Sequence, residues 1–263
     1  MNVWTVANQK GGVGKTTTAV SLGGHLVRDG RRVLLIDLDP HGSLSSYFGY
    51  DPDGVEASVY RLFTDDVPPP PAGLVAETGL EGLGIIPANT ALATLDRQMG
   101  IRNSMGLVVA RVLRQLESQY DYVIMDCPPM LGILMVNALA ACQQLIIPVQ
   151  TEYLALKGLE RMSRTVAMMS KARRVSIPYT VVPTMFDRRT KEAFRSLDHL
   201  REAYRETAWS SVIPVDTKFR EASRARLPIS HACPSSRGAL AYATLLNKLL
   251  HADSPSEPMV AVQ

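Results

Sequence analysis

Hydrophobic residues in this chain fall into short, nearly unbroken runs, separated by longer stretches in which they recur every three or four positions. The runs are Val3–Ala7, Val33–Ile36, Tyr122–Met125, Gln144–Val149 and Tyr179–Val182, with Gly84–Pro87 as a weaker one. A run of this length without polar alternation predicts a strand covered on both faces, as in a parallel sheet. Between the runs, Ala19, Leu22, Leu26 and Val27 share one helical face, as do Met105, Val108, Val109, Val112, Leu113 and Leu116. Leu154–Met169, Thr190–Tyr204 and Ser235–Leu250 also carry the helical period. Strands alternating with helices predict an α/β fold: a doubly wound, mostly parallel sheet with helices on both faces.

The 263 residues suffice for one large domain, expected over residues 1–250. Asp65–Gly73, which contains Pro68–Pro71, predicts a surface loop. Residues 251–263, with Pro255 and Pro258, predict a disordered tail, and no internal repeat is present. At 46% hydrophobic and 20% charged residues, the composition is that of a globular domain and excludes a disordered chain. No apolar run reaches the roughly 18 residues of a membrane span, and the N-terminus has no leader pattern. Cys127, Cys142 and Cys233 form no CxxC pair, so free thiols in a reducing cytoplasm are expected. His25 and His231 have no carboxylate beside them in sequence and are expected to be structural, with Met168 and Met169 as core filler.

Charge is unevenly placed. Residues 1–156 hold 10 Lys and Arg against 15 Asp and Glu, whereas residues 157–251 hold 18 against 8. The basic C-terminal part suits a polyanion-facing surface, or equally a set of solvated helix faces.

The first run leads into Gln9-Lys10-Gly11-Gly12-Val13-Gly14-Lys15-Thr16 and then a helix. Glycines there let backbone N–H groups converge on a phosphate, and the helix N-terminus adds its partial positive charge. Lys15 is placed to reach the β- and γ-phosphates and the Thr16 hydroxyl to ligate Mg²⁺. The strict GxxxxGK[ST] pattern fails at Gln9, and Lys10 is an additional lysine inside the loop. Asp37, Asp39 and Asp126 follow predicted strands, at the ends where open α/β sheets bind ligands. Carboxylates there can hold a hydrated Mg²⁺ and orient a water.

The segments ANQKGGVGKTTTAVSLG, VLLIDLDPHGSLSSYFG, YDYVIMDCPPMLGILMVNALAACQQLIIPVQTEYLALKGL and CPSSRGALAY together resemble the ParA family, the Soj-like partition ATPases of the deviant Walker A, MinD-like class. The resemblance spans nearly residues 1–250. It implies ATP and Mg²⁺ as cofactors, slow ATP hydrolysis, an ATP-dependent homodimer, non-specific DNA binding and a ParB-like or cargo-linked protein that stimulates hydrolysis. Such a protein is cytoplasmic and nucleoid-associated when ATP-bound, and it moves a chromosome, plasmid or protein cluster.

By the same resemblance Lys10 is the signature lysine that crosses the dimer to the partner's phosphates. Lys15 is the Walker A lysine, Asp39 positions the hydrolytic water, and Thr16, Asp37 and Asp126 serve the metal. Gly11, Gly12, Val13, Gly14, Thr17, Met185 and Pro214 complete the expected nucleotide site. Two departures stand out: His41 replaces the usual glutamine, and Val215-Asp216 replaces an Arg-Asn pair. Lys218, Arg220, Arg224 and Arg226 remain as DNA-binding candidates, with Arg188 and Arg189 as weaker ones. The alternatives are a MinD-like membrane-cycling ATPase, an iron–sulfur reductase and a small-molecule ligase on the same fold. Two prolines and two acids near the C-terminus argue against an inserting helix and hence against the first.

Overall fold

The computed structural model describes residues 1–65, 68–98 and 105–253. The elements run β1 (Asn2–Val6), α1 (Lys15–Arg28), β2 (Val33–Asp37), α2 (Ser43–Tyr47), α3 (Arg61–Thr64), β3 (Ala76–Glu77), β4 (Leu83–Ile86), α4 (Leu92–Gln98) and α5 (Val108–Gln115). They continue with β5 (Tyr122–Asp126), α6 (Ile133–Ala141), β6 (Gln144–Gln150), α7 (Tyr153–Arg173), β7 (Tyr179–Thr184), α8 (Lys191–Ala203), α9 (Lys218–Arg224), α10 (Ile229–Ala232) and α11 (Arg237–Asp253). Short 3-10 turns occupy Pro71–Leu74 and Met105–Leu107.

The seven strands pair in the order β3-β4-β2-β5-β1-β6-β7. All pairs are parallel except β3 with β4, so the mostly parallel doubly wound sheet expected from the sequence is present. Successive strand residues point to opposite faces. Val123 and Met125 therefore enter a core with α5, α6 and α7, while Tyr122 and Ile124 enter a second core with α1 and α11. Both faces are covered, which is why the strands are apolar throughout rather than alternating.

Several boundaries differ from the sequence expectation. The helix that begins at Tyr153 runs on to Arg173, and it ends where Arg174 turns left-handed at φ 56. The last helix extends to Asp253, so residues 251–253 are helical rather than tail, and the remainder of the expected tail, 254–263, lies outside the described residues. Residues 66–67 of the expected proline loop also lie outside them, and the loop's end at Pro71 enters a 3-10 turn. Met168 is exposed, not core: it shares the outer stripe of α7 with Arg161, Arg164 and Lys171. Among the described residues no helix is long and apolar enough to cross a membrane.

One glycine governs how α1 docks. Gly24 faces α10, and a Cβ there would overlap the Pro228 ring and lie 2.6 Å from Ser230 Oγ. Gly24→Ala is therefore expected to destabilise the protein by about 1–3 kcal/mol through overpacking. A denaturant melt with an unchanged midpoint would contradict this close approach.

Candidate functional site

Parallel pairing sets the site. Asp126 lies opposite Val6 on one side and Asp37 on the other, so β1, β5 and β2 end in line. The loop after β1 thus opens directly over both carboxylates. Gly12 (φ 73) and Gly14 (φ 89) adopt left-handed backbone that only glycine takes without strain. Gly14 caps α1, and the helix starts at the buried Lys15. Asn8 braces the loop from below: its Nδ2 donates to the Pro148 carbonyl at 2.7 Å, and its Oδ1 accepts the Lys10 N–H at 3.1 Å. From the far side, Thr184 Oγ1 donates to the Val13 carbonyl at 2.9 Å.

The Thr16 hydroxyl donates to Asp126 Oδ2 at 2.6 Å. Asp126 Oδ1 is buried and, among the described residues, accepts no hydrogen bond. A bare carboxylate oxygen beside a threonine hydroxyl in a buried site fits a divalent cation, taken directly or through water. Asp37 is differently placed. Its Oδ1 accepts the Asp39 N–H at 3.1 Å, and its Oδ2 accepts both the N–H and the hydroxyl of Ser45, at 2.8 and 2.7 Å. Most of its lone pairs are thus used within the protein, which suits support of a metal's water shell rather than direct ligation.

Burial raises the pKa of Asp37, against the pull of the Ser45 hydrogen bonds. Burial, and next the neighbouring Asp37 charge, raise that of Asp126, while Thr16 and then Lys15 pull it back. Among the described residues no three His, Cys, Asp or Glu side chains form a metal cage. A Mg²⁺ ion here would rely on Thr16, Asp126, phosphate oxygens and water, the mixed shell typical of that ion.

Asp39 lies beyond Asp37, and its Oδ1 accepts the His41 N–H and lies 2.7 Å from His41 Nδ1. Lys10 Nζ lies 3.8 Å from Glu152 Oε2, with the two side chains 28% and 56% exposed. An ion pair that open is weak and exchanges readily. The loop adjoins a cleft of about 840 Å³ lined by Gly14, Thr17, Met185, Pro214, Val215 and Phe219, among others. Met185 holds a left-handed backbone at φ 53, an uncommon conformation for a side-chain-bearing residue. Tyr242, from α11, closes the floor of this cleft and shares a 2.8 Å hydrogen bond with Thr18 on α1.

The basic candidates do not form one free patch. Lys218 pairs with Glu221 at 2.6 Å, and Arg189 with Asp187 at 2.7 Å. Arg220 lines the cleft, and Arg224 is exposed in the last turn of α9. Arg226, at φ 56, lays its guanidinium in the space a Cβ on Gly49 would need. Beside it, Tyr47 of α2 donates its hydroxyl to the Leu227 carbonyl at 2.8 Å. Cys127 and Cys142 are buried in the core, and neither presents a thiol to a cluster.

A strand, glycine loop and helix above two strand-end aspartates, with a second lysine in the loop, define a P-loop NTPase of the deviant Walker A type. A family model described as an AAA domain matches residues 1–178. Sporulation initiation inhibitor protein Soj of Bacillus subtilis (strain 168) is 38% identical over 245 residues, covering 93% of this chain and 96% of that protein. Chromosome partitioning protein ParA of Myxococcus xanthus (strain DK1622) is 33% identical over 254 residues, covering 96% and 89%. Among solved structures, cobyrinic acid a,c-diamide synthase from Mycobacterium smegmatis with bound ATP analog and magnesium matches with a TM-score of 0.80 at 34% identity, covering 95% of each chain. The chain belongs to the ParA/Soj family of partition ATPases within the MinD/ParA superfamily.

Ser45 carries no motif signal of its own, yet its hydroxyl donates to Asp37 and accepts the Ala88 N–H at 2.8 Å. Ser45→Ala would leave a buried N–H without its partner and is expected to cost about 1–3 kcal/mol. Chemical denaturation of this variant against wild type checks it.

Proposed function

We propose that the protein is an ATP-dependent dimerising switch that hydrolyses ATP slowly and, in its ATP state, binds DNA without sequence preference to partition or position a cargo. The observation that carries this is the loop. Lys15 serves its own subunit's phosphates, so Lys10 is surplus to them, its ammonium held by an exposed pair with Glu152. A Cβ at Gly11 would meet nothing within 4 Å, so the chain itself does not require a glycine there. A bare backbone beside a spare lysine suits the close approach of a second copy, whose triphosphate Lys10 would reach.

In each subunit the loop N–H groups and Lys15 bind the phosphates. Met185 and Pro214 flank the base. Thr16 and Asp126 would hold Mg²⁺, which would supply neutralisation of phosphate charge, with Asp37 supporting it. Asp39 orients the attacking water. The bound ATP analog and magnesium in the mycobacterial synthase structure support these cofactors. The partition name of the Myxococcus relative supports a positioning role over the ligase alternative. Residues 1–250 act as one ATPase domain, working in the cytoplasm and on the nucleoid, with a ParB-like or cargo-linked protein as stimulator.

The DNA surface is built on α9 and the turn after it, chiefly from the open Arg224, with Arg220 and Arg226 beside it and Lys218 released from Glu221 when phosphate competes. Two such surfaces in one dimer multiply a weak contact.

Lys15→Ala is expected to abolish ATP binding in an equilibrium titration. Asp39→Ala should bind ATP, hydrolyse it on the order of a hundredfold more slowly, and scatter light as a dimer. A monomer under those conditions would sink the proposed sandwich. The trapped Asp39→Ala dimer should also retain two unrelated duplexes equally at low salt and release both as salt rises. Retention of one duplex only, or of neither, would exclude non-specific DNA as the substrate surface.

A further inference from the structure

Two donors from a single residue converge on Asp39. Its Oδ1 accepts the backbone N–H of His41 at 3.0 Å and lies 2.7 Å from His41 Nδ1. An ionised carboxylate only accepts, so Nδ1 is the donor and carries a proton. Both bonds fall on the same oxygen, and among the described residues Oδ2 accepts none. The backbone is fixed as well: the Asp39 N–H donates to Asp37 Oδ1 at 3.1 Å, and the Asp39 carbonyl accepts the Gly42 N–H at 2.8 Å.

Exposure separates the two side chains. That of His41 is 79% exposed and that of Asp39 only 12%. The imidazole therefore adds almost nothing to the core. Among the described residues its side chain bonds to a nearly buried carboxylate oxygen.

We propose that His41 is a positioning residue for ATP hydrolysis: its Nδ1–H and its own backbone N–H clamp one oxygen of Asp39 and so fix the carboxylate torsion, with the other oxygen left for the attacking water. This rests on the hydrolytic role proposed for Asp39. The terminal carboxylate torsion of an aspartate is broad, so without the side-chain clamp the carboxylate plane swings away from the angle that suits the water. A misaligned base loses rate without losing substrate affinity. Asparagine offers an N–H donor at the reach of Nδ1 and has no titrating group, so it isolates the clamp from the basicity of imidazole.

The test is steady-state ATP hydrolysis by the full chain with Mg²⁺, comparing wild type, His41→Ala, His41→Asn and Asp39→Ala. His41→Ala is expected to lower kcat about tenfold with the KM for ATP within about twofold, the scale at which second-layer partners act. His41→Asn is expected to restore kcat to within about threefold of wild type. Wild-type kcat in His41→Ala, with Asp39→Ala inactive, would overturn the clamp and leave the role of Asp39 standing. A loss in His41→Ala that His41→Asn does not restore would overturn it too, because a donor is then not what position 41 supplies. A raised KM at unchanged kcat would place His41 on nucleotide binding instead and overturn it. Full hydrolysis by Asp39→Ala would remove the water-positioning role and the clamp with it.

Discussion

The register between β5 and its two neighbours is the constraint on which everything else rests. Val6, Asp126 and Asp37 share one level across three parallel strands. The phosphate loop therefore opens above a carboxylate pair rather than to one side of it. A slip of one residue would turn Asp126 to the opposite face and break its 2.6 Å bond to Thr16. The apolar filling of both sheet faces prevents such a slip, because it would also exchange the two cores. Packing far from the loop thus fixes the chemistry at its end.

Much of this was legible in the residues. The central strands announce themselves because burial on both faces demands unbroken apolar runs, and the structure places β2, β5, β6 and β7 within two residues of those runs. Other elements give weaker signals for physical reasons. Helix α6 is apolar at every position but Asn137 and packs against the sheet, α5 and α7, and so it shows no helical period. Strand β3 has only two residues, and α9 and α10 are too short to establish a period.

At the site, the loop and the three aspartates were visible because phosphate chemistry demands fixed residue types at fixed spacing. Their supports were not. Asn8, Thr184 and Tyr242 each bond a partner distant in the chain, and Ser45 bonds Asp37 and Ala88; spacing carries no trace of such bonds. The basic half of the sequence was legible as charge but not as surface. Lys218 and Arg189 lie against acidic neighbours, Arg226 folds over Gly49, and only placement in space distinguishes them from the open Arg224.

That contact over Gly49 has a mechanical meaning. Ser45 and Tyr47 belong to the same short helix; the first grips Asp37 and the second grips the carbonyl of Leu227. The helix is less than two turns long, so it has little freedom to bend between those two grips. It is a short rigid rod, with the Asp37 carboxylate at one end and the exit of the basic α9 at the other. A displacement of either end must carry the other with it or break one of the bonds that hold the rod in place.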